Sequence, residues 1–189
     1  MRQIVLLFFV FIVNSFGYSQ NNQIQESNDS IIDETKDVLN SIFCVSNDSI
    51  YYTEKCIVYN DAINAFKKNT TFSDRRDTIH LTNAEHAYIL SMIDKSKLHT
   101  WEPNMFKNSS MLNSSINEME YLKSRNYKKE YSDYTNVYSF AQPIFFKQNV
   151  CLVYYRRMCG GECGYEVLRF YKKENNQWKK WIVIQSGVY

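Results

Sequence analysis

Proton transfer is the chemistry to look for first, because it needs a histidine or a carboxylate held beside a reacting group. The chain has three histidines, His80, His86 and His99, and none stands in a triad or metal-ligand spacing. Glu85-His86 lacks the two histidines one helical turn apart that hold zinc in a His-Glu-x-x-His motif. Isolated histidines of this kind are expected on a surface, or buried with their ring nitrogens hydrogen-bonded. A carboxylate pair for glycoside hydrolysis is defined by separation in space, so spacing along the chain cannot reveal one. No glycine-rich phosphate loop occurs either. The sequence therefore assigns no catalytic residue, no cofactor and no metal ligand.

The five cysteines are the next reactive groups. Cys159 and Cys163 flank Gly160-Gly161-Glu162, which reads as a turn, and their x3 spacing differs from the Cys-x2-Cys of thioredoxin-type redox centres. A structural disulfide is the expected role, and closing so short a loop contributes about 2 kcal/mol through unfolded-chain entropy. Cys44 and Cys56 are a second candidate pair across Ser46-Asn47-Asp48. That pairing leaves Cys151 as an odd thiol, acting as a small hydrophobe on a strand.

Arginine and tyrosine supply the remaining candidate chemistry, and strands must position them. Val150 to Met158 and Tyr165 to Tyr171 are β-branched and aromatic runs bounded by glycine and cysteine. Pairing them across the short Cys159–Cys163 loop sets Arg157 opposite Tyr165, Arg156 opposite Glu166, Tyr154 opposite Leu168 and Leu152 opposite Phe170. An Asn175-Asn176 turn, whose residues tolerate positive φ, then sets Phe170 against Trp181 and Leu168 against Val183. Side-chain alternation gathers Val150, Leu152, Tyr154, Leu168, Phe170, Trp181 and Val183 on a core face. The other face collects Cys151, Val153, Val167, Trp178, Ile182 and Ile184 together with Tyr155, Arg157, Tyr165, Arg169 and Tyr171. Those last five form the candidate binding surface, since arginine-aromatic surfaces suit recognition. The alternative is that they only cover apolar area and brace the sheet.

The run Pro143, Phe145, Leu152, Tyr154, Tyr155, Cys159-Gly160, Cys163-Gly164, Lys172-Lys173 and Trp178-Lys179 resembles the carboxy-terminal pattern of a diffuse group of uncharacterised bacterial secreted proteins. In that group a proline-led strand and an aliphatic-aromatic strand precede CG-x-x-CG and a strand ending in Lys and Trp. Val58-Tyr59-Asn60 matches the helical core found upstream in the group, whereas Tyr165-Glu166 stands where a further glycine is common. The resemblance implies export and a strand-rich end. It brings no activity and so assigns no functional residue.

A net charge of +2 over 189 residues gives no wholesale attraction to nucleic acid, and no nucleic-acid partner is expected. Lys123, Arg125, Lys128 and Lys129 alternate with Tyr121, Tyr127 and Tyr131, a mixture that can hold single strands or anionic surfaces. Glu130 and Asp133 dilute it, so a solvated helix end is the expected role.

Met1-Arg2, the apolar run Ile4 to Val13 and the small residues Gly17 and Ser19 read as a signal peptide over residues 1–19. That run is too short to span a bilayer, and no cysteine near the cleavage point accepts a lipid. The expectation is an exported, periplasmic or extracellular protein that is not a lipoprotein, has no transmembrane segment after signal removal, and lies where disulfides persist. Residues 20–28 read as a disordered leader. Residues 29–189 read as one domain, helical over 29–126 and sheet over 137–186.

Within that domain, Ile31, Thr35, Val38, Leu39, Ile42 and Phe43 share a helix face capped by Asp29 or Ser30, with an end near Val45. Tyr52, Cys56, Tyr59, Ile63 and Phe66 also recur at helical spacing, which outweighs the strand-like Ile57-Val58-Tyr59. Residues 69–77 read as a loop and Thr78 to Leu81 as a short strand. Thr82-Asn83-Ala84-Glu85 and Ser115-Ile116-Asn117-Glu118 read as capping boxes. Trp101, Met105 and Phe106 plug the core, and Pro143 suits a strand start.

The expected architecture is α+β, with amino-terminal helices packed on a carboxy-terminal antiparallel meander of about four strands. A cone of the nuclear-transport-factor-2 or cystatin type is an analogy for it. The leading functional expectation is a non-catalytic binding or interaction module, its partner an envelope polymer or an exported protein. The alternatives are an envelope-polymer hydrolase, with His86 or an unidentified carboxylate as base, and a structural or self-associating protein.

Overall fold

A computed structural model of the chain describes residues 31–43, 50–57, 59, 62–96, 100–130, 134–160 and 163–188. The chain divides into two compact units, residues 1–37 and 38–189. In the first, residues 31–37 are helical; in the second, residues 38–43 are helical and form α1 (38–43). Asp29, Ser30 and Val45, the expected helix ends, lie outside the described residues.

The second unit is α+β. Its strands are β1 (Ile50–Thr53), β2 (Thr71–Asp74), β3 (Asp77–His80), β4 (Ser109–Leu112), β5 (Val137–Phe140), β6 (Ile144–Lys147), β7 (Val150–Met158), β8 (Gly164–Glu174) and β9 (Gln177–Val188), with helices α2 (Ala62–Lys67), α3 (Asn83–Lys95) and α4 (Glu118–Asn126). A seven-stranded sheet runs β4-β1-β5-β7-β8-β9, β6 pairs β7 beside β5, and β2-β3 form a separate hairpin.

The carboxy-terminal meander is the most local part of the sheet, because tight turns set its pairing. β7 and β8 pair with Arg157 opposite Tyr165, Arg156 opposite Glu166, Tyr154 opposite Leu168 and Leu152 opposite Phe170, as the short loop requires. Asn175 and Asn176 take φ of 51° and 58°, the left-handed values of a two-residue hairpin turn.

The register of β9 departs from expectation beyond that turn. Two irregularities move Val183 opposite Arg169 and Gln185 opposite Leu168. An extra residue in one strand flips the residues beyond it to the other face. Ile182, expected beside Arg169 and Tyr171, is therefore buried with Leu168 and Phe170, and Trp181 and Ile184 pack on that same cluster.

The carboxy-terminal strands β5 to β9 pair antiparallel, as expected, and the sheet becomes mixed where the unforeseen strand β1 joins it. β1 lies parallel to β4 on one side and to β5 on the other. Ile50 to Thr53 is thus a central strand and not the start of a helix. The helical spacing of Tyr52, Cys56 and Tyr59 is coincidental, since Tyr59 belongs to a different core cluster from Tyr52. Residues 71–74, expected in a loop, pair with β3. Pro143 precedes β6, where its missing N–H costs no ladder bond.

The caps divide in the same way. Thr82 Oγ1 accepts from Glu85 N at 3.2 Å and Glu85 Oε2 accepts from Thr82 N at 2.8 Å, completing the capping box of α3. In α4 the cap is Asn117, whose Oδ1 accepts from Met119 N and Glu120 N, while Ser115 N donates to Asn113 Oδ1 in the preceding turn. Asparagine caps at least as well as serine, and it stands one residue before the helix.

Both sheet faces are covered, which is why Val150 to Tyr155 is buried without alternation. On one face residues 38–43 of α1, with Trp101, Met105 and Phe106, pack on Tyr52, Phe140, Val153, Tyr155, Val167 and Tyr171. On the opposite face Phe66, Phe72, Ile79, Ile89 and Ile93 pack on Leu152, Tyr154, Leu168 and Phe170. Leu122 of α4 covers Leu112 and Val137 farther along that second face.

Candidate binding sites on the two faces of the sheet

The arginine-tyrosine stripe lies on the α1 face, and the structure splits it. Tyr155 and Tyr171 are only 3% and 1% exposed. The edge of Phe43 meets Tyr155 at 5.0 Å between centroids. Burial pushes the Tyr171 phenol up to about 12 against the opposing pull of Arg169. The Tyr155 phenol is driven higher still, by burial first and then by the neighbouring Tyr171 and Tyr165 phenols. Both are neutral core residues with no open approach for a partner.

Arg157, Tyr165 and Arg169 form the half-buried margin of the stripe. β5, β7 and β8 set Tyr138, Arg157 and Tyr165 in one cross-strand row. The Arg157 guanidinium lies 4.5 Å from the Tyr165 ring centroid, and Tyr165 meets Tyr155 edge-on at 5.8 Å. The ion pairs among the described residues include neither Arg157 nor Arg169, whereas Arg156 on the opposite face meets Glu118 at 3.5 Å. Among the described residues, the Nε atoms of Arg157 and Arg169 are shut from solvent with no hydrogen-bond partner, as are Tyr171 OH and Trp178 Nε1. Arg169, by its charge and by side-chain hydrogen bonding, and Tyr155, by side-chain hydrogen bonding, still pull the Tyr171 phenol down against burial, although neither contact meets strict hydrogen-bond geometry.

The remaining candidates lie apart from the stripe. His86 Nε2 meets the Phe66 carbonyl at 3.0 Å while its ring stacks on Phe66 at 5.0 Å. His80 Nδ1 meets Thr71 Oγ1 at 3.1 Å across the β2-β3 hairpin. His99 lies outside the described residues, among which no group of three or more acidic, histidine or cysteine side chains is placed to hold a metal. Lys123, Arg125, Lys128 and Lys129 are exposed. Arg125 and Lys128 lie over Tyr121 and Tyr127 on the helix end itself.

Cys159 and Cys163 are disulfide-bonded, with Cα atoms 5.6 Å apart. Cys159 and Gly160 are held against α4: Asn126 Nδ2 donates to the Cys159 carbonyl. Gly160 has φ +84° and comes so close to Leu122 that a Cβ would lie 3.1 Å from Leu122 Cβ. Cys56 and Cys151 are free thiols, which corrects the Cys44–Cys56 pairing. Cys44 and the Ser46-Asn47-Asp48 stretch across which the pairing was expected lie outside the described residues.

A cleft on the opposite face carries no sequence signal. It has a volume of about 180 Å³ and opens at the carboxyl ends of β1 and β4, lined by Thr53, Glu54, Cys56, Leu112, Ser139 and Glu118 among others. Burial pushes the Cys56 thiol up to about 12, outweighing a backbone hydrogen bond from Gln142. At neutral pH it is therefore protonated and no nucleophile. The cleft draws on residues from position 53 to position 139, and no local pattern announces such a gathering.

Among the described residues no helix is long and apolar enough to cross a membrane. No family model matches the chain, and no curated protein or solved structure is significantly similar to it.

Proposed function

We propose that this chain is an exported, non-catalytic binding module that holds an anionic group of an envelope polymer or exported partner at the Arg157, Tyr165 and Arg169 margin. The observation that carries this reading is the pair of half-buried guanidiniums on one sheet face that no described carboxylate neutralises. A partly desolvated cation without a counter-charge is costly, and a carboxylate, sulfate or phosphate offers it charge-assisted, two-pronged hydrogen bonds. Tyr165 holds Arg157 by its ring face, so less side-chain freedom is lost on binding. A non-catalytic role is supported by His86, whose ring is engaged by a carbonyl, and by the Cys56 thiol and the Tyr155 and Tyr171 phenols, which burial keeps protonated.

Retention on immobilised dextran sulfate, with neutral dextran as the blank, tests the proposal. The expected result is salt-sensitive retention that R157A/R169A abolishes with little change in Tm. K123A/K128A, which removes the same charge from the end of α4, is expected to retain binding. Equal retention of wild type and R157A/R169A would overturn the reading. So would equal losses in both double variants, since net charge alone would then explain the effect.

A further inference from the structure

On the opposite face of the sheet the geometry points to a second and independent site: the cleft at the carboxyl ends of β1 and β4 receives a small molecule bearing a protonated primary amine on a short apolar stem.

The cleft exists because the cover of that face is interrupted. Leu122 of α4 covers Leu112 and Val137, and α2, α3 and the β2-β3 hairpin cover the cluster around Leu152 and Phe170. Thr53 and Ser139 point to the same face between these two covers, by alternation with Tyr52 and Phe140, which are buried on the α1 face. The chain leaving β1 is tied down on each side, by Glu54 N to Leu112 O at 3.1 Å and Ile57 N to Phe140 O at 3.0 Å. The walls are thus formed before any ligand arrives. A crevice beyond the carboxyl ends of parallel strands is where open sheets place ligands.

The lining selects the ligand's chemistry. Ser139 is 1% exposed and lines the cleft, and its hydroxyl has no hydrogen-bond partner among the described residues. A hydroxyl on a nearly buried residue that lines the cleft offers its oxygen to a polar group there. Two carboxylates border the space: Glu54, steadied by Ser114 N at 3.0 Å, and Glu118, paired with Arg156 at 3.5 Å. Glu54, Glu118 and Lys55 are the charged side chains among the lining residues, a balance of one negative charge that an ammonium completes, and Arg156 meets Glu118 from outside the lining. An ammonium has three donors and no acceptor, which suits two carboxylates and a hydroxyl oxygen. Leu112, Ile57 and Ile116 supply the apolar wall for the stem. The space of about 180 Å³ takes a ligand of up to about six to nine non-hydrogen atoms, at roughly 20–30 Å³ each.

The test is an amide-shift titration of the full chain with n-butylamine hydrochloride, n-butanol and sodium butyrate. The amine is expected to shift the amides of Ser114, Glu118 and Ser139, with butanol and butyrate weaker by about tenfold or more, the worth of a charge-assisted hydrogen bond. E54Q, which keeps shape and removes charge, is expected to weaken the amine about tenfold and leave butanol unchanged. R157A/R169A is expected to leave amine binding intact. Equal affinities for the amine and the alcohol, or shifts that map away from the cleft, would overturn the assignment on the wild-type protein alone. An E54Q variant that binds the amine as tightly as wild type would overturn it as well.

Discussion

At the scale of single residues, chemistry here is governed by burial more than by residue type. Cys56, a candidate disulfide partner in the sequence, is a free thiol that desolvation holds protonated at neutral pH, and Cys151 is buried in the sheet. Iodoacetamide at pH 8 is therefore expected to leave Cys56 and Cys151 unmodified in the native protein and to label both in denaturant, as read by peptide mass mapping of those two sites. Rapid native labelling of Cys56 would contradict its burial. The same principle divides the arginine-tyrosine stripe. Five residues share a face by alternation, but only Arg157, Tyr165 and Arg169 stay half open. Alternation gives the side of the sheet and is silent on what lies over it.

At the scale of elements, the start of α3 is the most legible feature and offers the cleanest test. Thr82→Ala removes the side-chain cap and is expected to cost about 1 kcal/mol in urea unfolding. The partner carboxylate adds a pH dependence. The Thr82 backbone N–H, and then the Thr82 hydroxyl and Lys147, hold Glu85 below the usual glutamate range. A carboxylate lowered on folding stabilises above its unfolded pKa of about 4.3 and loses that contribution as pH falls through the lower folded value. The stability gap between wild type and E85Q is accordingly expected to be widest at neutral pH and to close in acid. A gap that widened in acid would refute the capping role. The sequence misplaces the start of α4 because Ser115 and Asn117 both satisfy a capping pattern, and the turn from Asn113 decides between them.

At the scale of the whole molecule, stability comes from a sheet buried on both faces and closed at one corner by the Cys159–Cys163 loop on α4. Reducing that disulfide, or Cys163→Ser, is expected to cost about 2 kcal/mol, since the closed loop is short. Denaturant titrations with and without reductant measure it. A loss well beyond this value would mean that the bond also positions α4 through Asn126 and Gly160. The two-faced cover also bears on self-association. The apolar residues of the α1 face, including Val153 and Val167, are covered by this chain's own helix and loop.

The sequence alone determined whatever depends on neighbours a few residues away. The β7-β8 register, the Asn175-Asn176 turn, the α3 capping box and the Cys159–Cys163 bond each come from loop length, φ preference or a side chain reaching its own backbone. The β8-β9 register was legible up to the irregularities that carry Ile182 to the opposite face, because bulges answer to packing across the sheet. Only the tertiary structure decided that Ile50 to Thr53 is a strand, for its partners are Ser109 to Leu112 and Val137 to Tyr138. Parallel pairing over such separations leaves no periodic trace in either segment. Both proposed sites arise at that level. One is the margin that α1 leaves open over Arg157 and Arg169, and the other is the gap between two covers above Thr53 and Ser139. Each is defined by where distant pieces of chain stop covering the sheet, a property no single stretch of sequence carries.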